Sequence, residues 1–198
     1  MTLALSGGRA HASSVDELLA SAARHVAAGD EEVALRRYTD ALELDPTCEA
    51  CYLGLGSLRE KRADWGEADR VYTAGLVRRV APAPLLAARA RARWAGGRRA
   101  EAASDLEEAM DRDPTAEGLR RLIAYEGELH RAPGQLRAAR RLLALGEAQG
   151  DATLVREARV LVAALVIVAD SLDPVARPVK PDAARRALAR AARALTDK

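Results

Sequence analysis

Aromatic residues are nearly missing from this sequence: it has no phenylalanine, and four tyrosines and two tryptophans are all that 198 residues hold. Sheets draw on aromatic and β-branched clusters, which are scarce here, so an all-α chain is expected. Cysteine is limited to Cys48 and Cys51, which excludes a disulfide scaffold and favours a reducing, cytoplasmic setting. His11, His25 and His130 are scattered, leaving neither a metal-ligand cluster nor a Ser/His/Asp group. No cofactor is expected. The longest apolar run, residues 160–169, falls well short of the roughly 18 residues that mark a membrane span. The N-terminal stretch MTLALSGGRAHASS has no basic segment ahead of an apolar one, so residues 1–14 read as a flexible leader rather than a signal peptide. Charge of one sign does not dominate either, since the formal net charge is +2. Its distribution is uneven: residues 1–75 hold 8 Lys/Arg against 13 Asp/Glu, and residues 76–198 hold 23 against 16. The two parts therefore present opposite fields, which can steer a partner.

Ala, Leu, Arg and Glu dominate what is present, and they are arranged with a period. In the stretch Gly29 to Pro46, Gly29, Ala34, Ala41, Asp45, Pro46 and Thr47 return two steps of 34 residues later as Gly97, Ala102, Ala109, Asp113, Pro114 and Thr115. The middle copy keeps Ala68 and Tyr72 where the first has Ala34 and Tyr38. A period of this size means helix pairs stacked in a row. Helices are predicted over 15–28, 30–44, from 49 through Tyr52, Leu55 and Gly56, 65 to about 80, 85–95, 99–112, 116–130, 135–149 and 152–172. Asp30 and Thr47 are expected to cap the second and third, and Thr115 to cap the seventh. Three prolines between Asp173 and Pro181 mark an extended connector, and 182–195 reads as an amphipathic end cap. The apolar 152–172 helix needs cover on all sides, either from that cap or from a second copy of the chain through Val160–Ala169.

These residues resemble the tetratricopeptide repeat family. With Val15, Glu49 and Ala83 as repeat starts, the early large positions are Leu18, Tyr52 and Leu86, and the small contacts are Ala22, Gly56 and Ala90. The later positions are Ala34-Tyr38-Ala41, Ala68-Tyr72-Gly75 and Ala102-Leu106-Ala109. One family tyrosine is replaced by His25, Arg59 and Arg93. The resemblance implies an all-α, right-handed superhelical solenoid with repeats at 15–48, 49–82, 83–116 and, after an insertion, 117–150, closed by residues 151–198. It also implies a non-catalytic module that binds a peptide or partner protein along its first helices. The inward positions are Asp16, Leu19, Ala23 and Val26; Ala50, Leu53, Ser57 and Glu60; Pro84, Ala87, Arg91 and Trp94; and, if the register holds, Arg121, Tyr125 and Glu128. Such a groove passes from apolar to basic and aromatic, which suits a partner with an acidic segment. The Lys/Asn clamp used by relatives that hold chaperone tails is absent, since Leu19, Ala23 and Gly54 occupy its positions.

Two further constellations carry alternatives. Seven arginines lie between Arg78 and Arg99 with no acid among them and Trp94 inside the patch, an arrangement that can meet RNA phosphates and stack on a base. Cys48-Glu49-Ala50-Cys51 is a CxxC at a helix start, which can serve redox chemistry or supply half a zinc site. Two small apolar residues filling the inter-repeat space is the simpler reading of that pair. Gly54-Leu55-Gly56 lacks the third glycine and the preceding strand of a dinucleotide loop.

Overall fold

A computed structural model describes residues 6–172, with side chains from 14 to 167. The regular elements among these residues are α-helices: α1 (Ser6–Ala28), α2 (Glu31–Leu44), α3 (Glu49–Lys61), α4 (Trp65–Val77), α5 (Pro82–Ala95), α6 (Arg99–Arg112), α7 (Ala116–Glu128), α8 (Ala132–Gln149) and α9 (Ala152–Leu172). The chain divides into two compact units, Met1–Ala109 and Met110–Lys198. No helix among the described residues is long and apolar enough to cross a membrane.

In the first unit the 34-residue period is written into the backbone. Gly29, Ala63 and Gly97 occupy the same place in successive turns, with φ of 83°, 58° and 84°. Around each, the next residue's N–H reaches back to a carbonyl five residues earlier: Asp30 to His25 at 2.8 Å, Asp64 to Arg59 at 2.9 Å, and Arg98 to Arg93 at 2.8 Å. This closure satisfies carbonyls that the helix end would leave open. Left-handed backbone suits glycine and strains alanine, so Ala63→Gly is expected to raise stability by about 0.5–1 kcal/mol. A urea midpoint that stays put or falls contradicts this.

Small residues then set the helix spacing. Ala34, Ala41, Ala68 and Ala102 are completely buried, and so is Tyr72. One apolar cluster joins α1, α2 and α3 through Val15, Ala41, Cys48 and Cys51, with Leu18, Leu19, Tyr38 and Leu42 against it. A second joins α3, α4 and α5 through Tyr52, Ala68, Tyr72, Leu85 and Ala88. The apparent dinucleotide fragment is part of this packing, because Gly54 lies under the Tyr38 ring and Gly56 under the Tyr72 ring.

The second unit packs α7, α8 and α9 around Leu119, Leu122, Ala138, Ala139, Leu142, Leu154 and Ala158, all buried. Arg120 of α7 and Glu157 of α9 pair through two bonds of 2.7 and 2.6 Å. The apolar stretch of α9 is half-exposed from Val160 to Ile167, apart from the exposed Ala163. The end-cap helix expected at 182–195 and the connector before it lie outside the described residues.

Several local expectations are corrected. Helix α1 begins at Ser6, inside the stretch read as a leader. Asp30 stands at the start of α2 without capping it, because its carboxylate faces His25 Nδ1 at 3.3 Å. The cap of α3 is Cys48 rather than Thr47, whose hydroxyl and N–H both turn to Asp45 Oδ1. Thr115 does cap α7, accepting from Gly118 N–H at 3.1 Å. The break before α8 falls at His130-Arg131, and Pro133 lies in the first turn of the helix, where a missing N–H costs nothing.

Cys48 and Cys51 are joined as a disulfide with Cα atoms 5.3 Å apart, so they are not two independent thiols. The bond also removes the argument by which the cysteine count favoured a reducing compartment. Closing so short a loop stabilises a chain by only about 2 kcal/mol through entropy.

Candidate functional site

Three stripes on the first helices of the first unit share one spacing. Leu19, Ala23 and Val26 lie on α1, Leu53, Ser57 and Glu60 on α3, and Ala87, Arg91 and Trp94 on α5. Steps of four and three keep each stripe on a single helix face. Ala23 and Ser57 are exposed, while Leu19, Val26, Leu53, Ala87 and Trp94 are half-buried. Leu19, Val26 and Leu53 spend part of their surface on the core clusters beneath them. Asp16, Ala50 and Pro84, at the outer ends of the stripes, are exposed.

The α3 and α5 stripes meet in a polar relay. Buried Tyr72 of α4 donates its hydroxyl to Glu60 Oε1 at 2.6 Å, and Arg91 of α5 reaches the same oxygen at 3.4 Å. Burial raises the Tyr72 hydroxyl well above the usual tyrosine range, and the carboxylate it faces raises it further. The phenol therefore stays protonated and fixes Glu60 from below. The Arg91 side chain is 41% exposed against 19% for Glu60, so its guanidinium keeps an open edge. Trp94 carries the Arg99 guanidinium over its ring at 5.5 Å from the centroid, a cation–π arrangement.

The arginine patch is partitioned by acids that belong to other helices. Arg89 makes a two-pronged pair with Asp105 of α6, at 2.8 Å through each nitrogen, and also donates to Thr73 of α4 at 3.1 Å. Arg93 reaches Asp69 of α4 at 2.6 Å and Asp105 at 3.0 Å. Arg98 pairs with Asp69 at 3.1 Å. For Arg89, burial pulls the pKa down, but the Asp105 pairing outweighs it and leaves the group raised. Arg89, Arg93 and Arg98 are thus committed to internal acids, while Arg91 shares Glu60 and keeps an open edge. That removes part of the charge a nucleic-acid surface would draw on.

A related pattern explains the position where the sequence departs from the family's tyrosine. His25 pairs with Asp30 at 3.3 Å, and Arg59 faces Asp64 at 3.9 Å, the same interval of five residues. In the third copy the residue at that interval is Arg98, so Arg93 turns to Asp69 and Asp105 instead. A polar side-chain contact stands where an aromatic ring would.

The remaining expected residues are placed elsewhere. Arg121 and Tyr125 lie on α7 in the second unit; Tyr125 is buried at 8% exposure, and Arg121 pairs with Glu117 of its own helix at 2.6 Å. A buried ring is packing, so Tyr125 leaves the candidate face. Glu128, at the end of α7, is exposed. An open hollow of about 470 Å³ lies at the turn ends, lined by Trp65, Asp69, Arg70 and Arg98 among others. It is not between the stripes, and its Asp69 and Arg98 neutralise each other. Cys48 and Cys51, bonded to each other, do not offer two thiolates to a metal.

No protein-family model and no curated protein matches the sequence. Solved structures do. A tetratricopeptide repeat protein from Parabacteroides merdae superposes with a TM-score of 0.65 at 17% identity, over 94% of this chain and 68% of that one. MamA gives 0.63 at 15% identity, over 88% and 94%. YrrB, described as a TPR protein with an unusual peptide-binding site, gives 0.62 at 16% identity, over 95% and 93%. The chain has the tetratricopeptide repeat fold.

Proposed function

We propose that the chain is a non-catalytic interaction module that holds a peptide or extended segment of another protein along α1, α3 and α5 of the first unit. The observation that carries the proposal is the Glu60–Arg91 pair, which spans two neighbouring first helices beside exposed Ser57 and half-buried Ala87 and Trp94. Apolar stripes at helical spacing offer anchoring area, and a guanidinium with an open edge offers a carboxylate a charge-assisted bond. An acidic group on the partner competes with Glu60 for Arg91, which favours an acidic segment next to apolar anchors. The shared fold with YrrB, a TPR protein with an unusual peptide-binding site, supports the class of ligand.

The test is affinity capture of a partner from native lysate, followed by measurement of its Kd with two variants. Arg91→Ala with Trp94→Ala should weaken binding by roughly tenfold or more with helicity unchanged. Arg36→Ala with Glu43→Ala, on exposed positions of α2, should leave it unaltered. Equal losses from both pairs would count against the face.

A further inference from the structure

We infer that the Cys48–Cys51 disulfide is a thiol-exchange site: a reversible redox device set into the junction of α1, α2 and α3. It is separate from the proposed binding face and does not depend on it.

Its position combines enclosure with a locally self-supporting backbone. The pair is enclosed by Val15, Leu18 and Leu19 of α1 and by Tyr38, Ala41 and Leu42 of α2, so a change at the sulfurs is felt by three helices. Yet the bond is not what holds the local backbone. The turn before α3 is fixed by Thr47 N–H and hydroxyl on Asp45 Oδ1, at 2.8 and 2.6 Å, and by the Tyr52 hydroxyl on the Pro46 carbonyl at 3.0 Å. Cys48 and Cys51 are three residues apart at the start of a helix, where the first turn already sets their spacing. The bond can therefore open without the helix being lost.

The surroundings also assign the sulfurs different parts. Cys48 keeps 7% exposure and Cys51 none, so an incoming thiolate reaches Cys48 first. Cys48 Sγ accepts the Cys51 N–H at 3.2 Å from the cap position of a 13-residue helix. Negative charge on that sulfur is stabilised by the N–H and by the positive helix end. A dithiol reductant supplies the electrons. One of its thiolates attacks Cys48 Sγ, the S–S bond breaks, and the electron pair leaves on Cys51 Sγ, which takes up a proton. The reductant's second thiolate then attacks its own sulfur in the mixed disulfide and releases Cys48 as the thiolate. Two electrons pass to the protein, which becomes a dithiol as the reductant becomes a disulfide.

Reduction replaces a covalent sulfur contact with a non-bonded one, which needs more room than the closed cluster around Cys51 provides. Val15, Leu19 and Ala41 must give way, and the α1–α3 packing loosens.

The experiment uses the full chain, folded, in increasing dithiothreitol. Samples are quenched with acid, unfolded, tagged with a maleimide and read by intact mass. We expect no tags on the unreduced protein, two after reduction under native conditions with far-UV helicity retained, and none again after oxidised glutathione. Hydrogen exchange at the amides of residues 51–54 should rise roughly tenfold on reduction, and Cys48→Ala with Cys51→Ala should make that exchange insensitive to dithiothreitol. Two tags on unreduced protein overturn the inference, because there is then no bond to exchange. So does a folded chain that stays untagged at high dithiothreitol, or one that loses its helicity on reduction.

Discussion

Asp105→Ala lowers the stability of the chain by about 3–5 kcal/mol, the cost expected when one partner of a buried charge network is removed. Asp105 is 6% exposed and accepts three bonds, two from Arg89 at 2.8 Å and one from Arg93 at 3.0 Å. Without it Arg89 keeps its bond to the Thr73 hydroxyl and the weaker influence of Asp69 and Glu108, and two guanidinium groups whose side chains are each 15% exposed face each other across the vacated space. Arg93 fares better because Asp69 remains at 2.6 Å. The size of the effect comes from uncompensated burial and not from the net worth of the pair. Replacing Asp105 and Arg89 together by leucine and methionine should therefore recover most of the loss. Urea unfolding of the two variants makes the comparison. A single-variant loss below about 1 kcal/mol would mean that the network is solvated like a surface pair.

The second large effect is steric. At Gly56 an added Cβ would lie 2.2 Å from Tyr72 Cε1 and 2.3 Å from its Cζ, well inside contact distance. The ring is completely buried and its hydroxyl is engaged by Glu60 at 2.6 Å, so it cannot move aside without giving up that bond. Overpacking of this kind costs about 1–3 kcal/mol, and the lost bond to a charged group adds about 1.5–3 more. Gly56→Ala is thus expected to cost about 3 kcal/mol or more. It should also disturb Arg91, because Glu60 links the two. Gly66 supplies the control: a Cβ there meets nothing within 4 Å, so Gly66→Ala should be neutral or gain up to about 1 kcal/mol. Equal melting temperatures for Gly56→Ala and the unaltered chain would show that α3 and α4 are spaced more loosely than described.

The parts legible in the sequence are those that depend on short-range periodicity. Gly29 and Gly97 mark a backbone conformation that alanine adopts only with strain, and the Ala34-Tyr38 and Ala68-Tyr72 pairs mark one packed face. The arginine partners were not legible, because Glu60, Asp69 and Asp105 lie between 12 and 31 residues from their arginines and meet them only through helix packing. A signal did exist: a basic residue three times at the family's tyrosine position, followed twice at an interval of five by aspartate. Tyr125 is misplaced because α7 starts one residue early: its cap is Thr115 where two full periods from Cys48 reach Ala116, so Tyr125 takes the place of buried Leu58 and not of exposed Ser57. The disulfide was hidden by its spacing, since two residues three apart on a helix serve equally well as packing, as a ligand pair or as a bond.

The most direct test of the proposed binding face is photo-crosslinking to the captured partner from single positions. A photoreactive residue at Ser57, exposed on α3 between Leu53 and Glu60, should crosslink in good yield, and one at Glu43, exposed on α2, should give background only. Crosslinking from Glu43 with Ser57 silent would contradict the account and move the binding surface to the other side of the repeats.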